Sequence, residues 1–402
     1  MSAPVTPVAH NPIGRAANYL TSQLRQIGIF IALIVIVVLF QILTQGVLLN
    51  PQNVSNVIVQ NSYVLILAIG MVMIIIAGHI DLSVGSVVGF IGAIAGVLTN
   101  RMGLPWWLAI IAALLAGVLV GAWQGFWVAY FGIPAFIVTL AGMLIFRGLT
   151  QVVLGSTQIT PFPDEMRALG GGFLPTLGFL GGQYETLTVV IGLLAAAVLV
   201  AAGIRQRLIR RRLNLEDEPF AWFVVKLAFT AALVLAIAFL LASYRGTPIV
   251  LVVLGLLVVV YSAVMGRSVY GRHIYALGGN LNAALLSGVK TKRVTFLLFV
   301  NMGVLAALAG LVFAGQLNLA NPTNGTGFEL DAIAAAFIGG AAVTGGIGTV
   351  TGAIIGGLII GILNNGMSII GVGTDWQQFI KGIVLLSAVA FDVYNKRRSG
   401  GR

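Results

Sequence analysis

Long apolar runs, each closed by a short cluster of polar, Gly or Pro residues, recur from Ile27 to Val393. Runs of this length with few charges read as membrane spans rather than as faces of soluble helices. The pattern predicts spans over 27–43, 57–77, 84–98, 106–128, 134–154, 187–204, 221–241, 249–265, 294–313 and 376–393. Two Gly-rich segments, 332–343 and 350–363, are separated by Thr344-Gly345-Gly346-Ile347-Gly348, and neither is comfortably long enough to cross alone as a straight helix. Short or interrupted segments of this kind point to a transport path. The fold class expected is all-α, a polytopic transmembrane helical bundle of about 10–12 segments that include short or broken helices. Residues 1–26 read as a cytoplasmic tail, 27–395 as the transmembrane domain with a cytoplasmic loop at 266–293, and 396–402 as a second cytoplasmic tail. Met1 to Tyr19, polar and carrying Pro4, Pro7 and Pro12, reads as a flexible stretch.

Polar residues inside the apolar pattern are the candidates for function. Between two apolar runs lies Gly78-His79-Ile80-Asp81-Leu82-Ser83, where a carboxylate sits beside glycines. A charge there is costly unless it lines a cavity, a helix end or a water-filled path. Ser83 is placed to cap the following helix, and Asp81 suits its positive end. The break therefore reads either as part of a solute path or as a capped boundary turn. Gly117, Gly121 and Gly125 share one helix face and allow a close crossing, with Gln124 just inside that end. Asp331 stands before the first short segment, and Asn364-Asn365-Gly366 closes the second. Asp81, Ser83, Gln124, Asp331, Asn364 and Asn365 are the path candidates. Arg147 and Lys381, both toward the outer ends of spans, are expected to snorkel. His79 beside Asp81 reads as a proton relay or as a satisfied boundary residue.

A weak inverted repeat supports the same region. Ile80-Asp81-Leu82 before one Gly-rich helix resembles Leu330-Asp331-Ala332 before another, and the two helices run in opposite directions in this topology. The loop 155–185, rich in Gly and Pro and carrying Asp164, Glu165 and Arg167, is long enough to dock an external partner. On the other side, Asn280 can cap a short helix over 281–287 and Gly288 can end it. Leucines exposed on that helix suit a groove on a partner or the lipid interface.

Charge fixes orientation. The formal net charge is +11 with only 8% of residues charged. Arg15 and Arg25, the five arginines from Arg205 to Arg212, Arg267, Arg272, Lys290, Lys292, Arg293, Lys396, Arg397, Arg398 and Arg402 all fall on one side, sixteen of the 22 basic residues. That bias places both termini in the cytoplasm and removes any need for a nucleic-acid partner. Glu216-Asp217-Glu218 follows the arginine cluster and is placed to pair with it.

Chemistry is otherwise sparse. There is no cysteine, and His10, His79 and His273 are scattered too widely for a metal set. The phosphate-cradling pattern GxxxxGK[ST] does not occur, and no nucleophile–base arrangement can be read. The residues alone leave a solute path through a bundle, driven by an ion gradient or by partners, as the reading, with an intramembrane enzyme least supported.

Several blocks in one order carry a resemblance over nearly the whole chain: GHIDLSVGSVVGFIGAIAG, PAFIVTLAGMLIFRGLT, GRHIYALGGNLNAALLSGV, AIAAAFIGGAAVTGGIGTVTGA and KGIVLLSAV. The chain resembles the permease subunits of bacterial ATP-binding-cassette importers for pentoses and hexoses, the ribose, xylose and galactose group. The extra pair of spans over 187–241 is most like the xylose-type permease. The resemblance implies a homodimer of permeases in the inner membrane, a cytoplasmic ATPase on separate chains that binds ATP and Mg, and a periplasmic sugar-binding protein. It also implies that Gly278, Gly279, Asn280, Ala283, Ala284, Leu285, Ser287 and Gly288 form the loop that meets the ATPase. Family members often carry Gly or Glu at the place of His79, and many carry a basic residue at that of Leu285. A related permease for branched-chain amino acids or nucleosides, or an ion-coupled secondary transporter, is the alternative.

Overall fold

The computed structural model describes residues 12–399 except 156, 181, 182 and 214–218. The first apolar run is the end of a longer helix, α1 (Pro12–Leu43). Pro12 suits the first helical position, where its missing N–H has no partner to lose. Part of the stretch expected to be a flexible tail is therefore helical from Pro12 onward, and residues 1–11 lie outside the described residues. The second run is two helices, α2 (Pro51–Gln60) and α3 (Ser62–Ile76), bent by 46°. The bend sits at Asn61, whose side-chain amide donates back to the Val57 carbonyl at 2.8 Å. A short side chain that bonds its own preceding turn competes with the helical ladder. The sequence pattern had run straight through it.

The next segments follow the apolar runs closely. They are α4 (Val84–Gly96), which continues through a π-helical turn over Val97–Arg101, then α5 (Trp106–Tyr130) and α6 (Ala135–Leu154). The long loop 155–185 is built rather than open. It holds α7 (Asp164–Gly171) and a two-residue antiparallel hairpin, β1 (Phe179–Leu180) and β2 (Tyr184–Glu185). Then come α8 (Thr186–Arg212), α9 (Phe220–Ala242), α10 (Ile249–Arg267), α11 (Val269–Gly279), α12 (Leu281–Leu286) and α13 (Thr291–Leu317). The chain ends with α14 (Phe328–Ile338), α15 (Val350–Ile369) and α16 (Thr374–Ser399).

Among the described residues, eight helices are long and apolar enough to cross a membrane, and the bent pair α2–α3 makes a ninth. The apolar part of α1 and the eleven-residue α14 are shorter. At 1.5 Å per residue α14 covers about half of a bilayer core. The second Gly-rich segment is longer than the 350–363 its pattern predicts. It continues through Asn364, Asn365 and Gly366 to Ile369 and reaches spanning length, because its asparagines lie inside the helix rather than at its end.

The bundle is organised around α13 and α3. Helix α3 is buried on every side, as a helix that is apolar all round must be. Helix α13 crosses α5 closely: Gly117, Gly121 and Gly125 meet the backbone at Gly303, Phe299 and Phe296, with no room for a methyl group. Helix α7 lies on the same hub, with Met166 against Gly315 and Gly170 against Val312 and Gln316. The pair α8–α9 forms a hairpin on the outside of the bundle, most of its surface exposed.

Candidate functional site

The break between α3 and α4 brings three of the path candidates into one buried chain of hydrogen bonds. Asp81 Oδ1 accepts from the Ser83 backbone N–H at 2.8 Å and from Ser83 Oγ at 2.7 Å. Gln124 Nε2, from α5, donates to Ser83 Oγ at 2.6 Å. All three side chains are buried. From the other flank, Thr139 Oγ1 of α6 donates to the Ile80 carbonyl at 3.3 Å. Ser83 occupies the N-cap position of α4 but makes no side-chain cap. Its proton goes to Asp81 instead, so the carboxylate organises the turn and the serine relays it to α5. His79 turns toward the Phe299 ring, at 6.0 Å between centroids. Among the described residues no hydrogen bond joins it to Asp81.

Beneath this break lie two adjoining clefts that share Gly78, His79 and Val128. One, about 430 Å³, is also walled by the segment Leu277 to Leu281 and by Thr291, Lys292 and Thr295. The other, about 330 Å³, runs under Pro134 and Phe136. The break and the loop 266–293 therefore face one another across a shared space.

They also touch directly. Gly278, at the end of α11, presses its bare Cα on the Ile76 carbonyl, the last residue of α3, and on the Gly346 N–H. That N–H donates to the Ile76 carbonyl at 2.8 Å, and Tyr275 Oη donates to the Gly348 carbonyl at 2.8 Å. Only a glycine fits, since any Cβ at 278 would overlap backbone from two other segments.

Past this clasp, α12 forms as its sequence suggests. Asn280 Oδ1 accepts from the Ala283 N–H at 3.0 Å, and Gly288 ends the helix with φ of +80°. Ala284 is buried underneath, while Leu281, Leu285 and Leu286 point outward, with Leu286 90% exposed. Ala283, Ser287 and Gly288 are exposed as well, and Gly279 has open space beside it.

The other three path candidates lie elsewhere. Asp331, in the first turn of α14, pairs with Lys381 of α16 at 2.9 Å. Lys381 thus turns inward to a buried acid instead of snorkelling. Asn365 exchanges amide hydrogen bonds with Asn53 of α2 at 2.8 and 3.1 Å. Asn364 Oδ1 is buried without a hydrogen-bond partner among the described residues. Arg147 likewise does not snorkel. It reaches across to Thr326 Oγ1 at 2.6 Å and Ser86 Oγ at 3.4 Å.

Sequence reading passed over Glu329. It is buried in the first turn of α14, against Gly85 of α4, with Oε2 unpartnered among the described residues. Gly325 packs on Gly85 and Asn324 on Gly89, so the loop 318–327 reaches the start of α4. The starts of α4 and α14 meet there, and the helices then part in opposite directions. One leads to Asn100, bonded to the Pro161 carbonyl, and the other to Gly339, packed on Gly352. No periodicity signals such a meeting; only the paired Asp-before-Gly-helix pattern hinted at it.

Outside the spans, Glu185 caps α8 by accepting from the Leu187 and Thr188 N–H groups at 2.9 and 2.6 Å. Burial pulls its pKa up, and the bonds from Thr188, Leu187 and Leu177 outweigh that pull, so the pKa is lowered from its usual value. Glu216, Asp217 and Glu218, expected to pair with the arginine cluster, lie outside the described residues.

Residues 53–389 match the family described as branched-chain amino acid transport system / permease component. The chain is 40% identical to the xylose transport system permease protein XylH of Haemophilus influenzae, over 92% of this chain and 96% of that protein. It is 42% identical to XylH of Escherichia coli strain K12, over 92% and 91%. It is 33% identical to the ribose import permease protein RbsC of Bacillus subtilis, over 92% and 93%. No solved structure matches the chain.

Proposed function

The chain belongs to the family of branched-chain amino acid transport system permease components, and from that membership we propose that it is the membrane-spanning permease subunit of an ATP-binding-cassette importer for a monosaccharide. The relatives' names support a pentose such as xylose, or a related sugar. The chain itself holds no phosphate-cradling motif, so ATP and Mg belong to partner ATPase subunits on the cytoplasmic side. A periplasmic binding protein delivers the sugar to the outer loops 155–185 and 316–331.

One observation carries the mechanism: Gly278 rests on the Ile76 carbonyl without a side chain between them. The exposed leucines of α12 seat in a groove of the ATPase. When nucleotide closes the ATPase pair, α12 and α11 move, and the clasp passes that displacement to the end of α3. A packed backbone contact is stiff, so little of the motion is absorbed. The break over 77–83 then shifts together with the Asp81–Ser83–Gln124 chain, which borders the inner part of the path. Asp331 and Asn365, each paired to a neighbouring helix, hold α14 and α15 in place. A second copy of the chain completes the path. Helix α6 presents an apolar face interrupted by Gly148 and Gln151 and bordered by Arg147. Polar groups on such a face suit a water-lined junction better than lipid.

The test is uptake into proteoliposomes holding this chain, its ATPase and its binding protein. ATP should drive accumulation of radiolabelled xylose, with excess unlabelled pentose competing and excess leucine having no effect. Competition by leucine and not by pentose would move the assignment to the amino-acid branch that the family description names.

A further inference from the structure

The larger cleft beside the α3–α4 break, about 430 Å³, is not used by the mechanism above. One wall is the start of α13, where Thr291, Lys292 and Thr295 share a helix face. His79 also lines the cleft, and no carboxylate does. Thr295 is only 7% exposed, and its Oγ1 has no hydrogen-bond partner among the described residues. The side chains of His79, Thr291 and Lys292 likewise make no hydrogen bond or ion pair among the described residues. The first turn of α13 carries charge of the wrong sign for its position. It holds Lys292 and Arg293 and no acid, and Lys290 at the N-cap gives no side-chain cap. The Thr291 N–H goes to the Val289 carbonyl at 2.8 Å and the Val294 N–H to that of Lys290 at 3.1 Å. That leaves the N–H groups of Lys292 and Arg293 without a partner among the described residues. A helix start favours negative charge, so this one, with its added cations, calls for an anion.

We propose that this cleft binds a small phosphate monoester on the side that the arginine bias assigns to the cytoplasm, with Thr291, Lys292 and Thr295 donating to the phosphate and His79 facing it. Several converging donors and no opposing acid suit a tetrahedral dianion better than a single carboxylate. An ester fits better than bare phosphate, because Ala77, Val128 and Leu277 add an apolar wall and the volume is that of a small-molecule site. A small ligand fits better than a partner's acidic side chain, because the unpaired Thr295 hydroxyl lies deep in the cleft. The same cleft is walled by Gly78 from the break and by Gly278 to Leu281 from the clasp and α12. An occupant therefore ties the two together and slows uptake. That consequence rests on the proposed function, whereas the binding does not.

The experiment uses the full chain in phosphatidylcholine nanodiscs, titrated in a calorimeter with ribose 5-phosphate, inorganic phosphate or ribose. Ribose 5-phosphate should bind, inorganic phosphate should bind more weakly, and ribose should not compete. Thr295→Val, which keeps the shape of the side chain, and Lys292→Gln should each weaken ribose 5-phosphate binding at least about tenfold, the loss expected for one hydrogen bond to a charged group. Both variants should still co-purify with the ATPase. No binding of ribose 5-phosphate, equal binding of ribose or of inorganic phosphate, or unchanged affinity in both variants would overturn the site. Loss of the ATPase from both variants would assign the cleft to that partner instead and overturn it too. In proteoliposomes, ribose 5-phosphate on the ATPase side should slow ATP-driven uptake by the wild type and not by Thr295→Val. Equal uptake with and without it would overturn the regulatory role. A complex that transports no sugar at all would instead contradict the proposed function and leave the calorimetric result to decide the site.

Discussion

At the scale of single residues, Gly278 is the position where α11 and α3 meet backbone to backbone. Gly278→Val puts a branched side chain onto the Ile76 carbonyl and the Gly346 N–H. The surface of α12 is untouched, so the ATPase should still co-purify while ATP-driven uptake falls at least about tenfold, the effect of roughly 1.4 kcal/mol on the coupled step. Uptake near the wild-type rate would show that the clasp transmits nothing. Gln124→Leu leaves Ser83 Oγ without its donor in a buried site, and the purified protein should lose about 1–3 kcal/mol of stability, visible as a lower unfolding temperature. Asp81→Asn, which keeps an acceptor for Ser83, should cost less than Asp81→Ala. The Asp81–Ser83 pairing lay within reach of a sequence reading, because the two are neighbours on one turn. Lys381 and Asp331, 50 positions apart, were not, and each had been explained alone. Glu329 was passed over for a related reason: its burial comes from Gly85, on a helix that nothing local connects to it.

At the scale of elements, caps and breakers were legible and bends were not. Asn280 and Gly288 announced α12 because capping chemistry is local. The bend at Asn61 and the inclusion of Asn364 and Asn365 within α15 depend on what the neighbouring helices offer, through the Asn53–Asn365 pair and the close approach of Gly361 to Asn61. Asn280→Ala removes the α12 cap at a cost of about 1 kcal/mol. A helix of six residues has little other local support, so co-purification of the ATPase should drop while membrane insertion stays intact. Retained co-purification would move the interface elsewhere. Glu185 offers a pH readout at the start of α8. With its pKa lowered in the folded state, its contribution is present above the unfolded carboxyl pKa and is lost as pH falls through the folded one. Wild type should therefore unfold at a higher temperature than Glu185→Gln at neutral pH, and the gap should close in acid. A gap that persists in acid would mean the carboxylate charge is not what caps the helix.

At the scale of the whole molecule, two things meet: a break held by buried hydrogen bonds, and the exposed helix α12, whose preceding turn is clasped to that break through bare backbone. The composition made a polytopic bundle plain, and the sidedness of the arginines gave its expected orientation. Spacing already marked the α14 segment as too short to cross alone; what composition and spacing could not supply was that α3 and α13 form the hub, that the start of α14 meets that of α4, and that α8–α9 stands apart. Those features arise from contacts between distant segments, most of them glycine to backbone. The most direct measurement is sugar accumulation in liposomes containing this chain alone, with a proton or sodium gradient imposed and no other polypeptide present. No uphill uptake is expected under either gradient, and uptake should appear only when the ATPase, the binding protein and ATP are added. Sustained accumulation by the isolated chain under an ion gradient would contradict it.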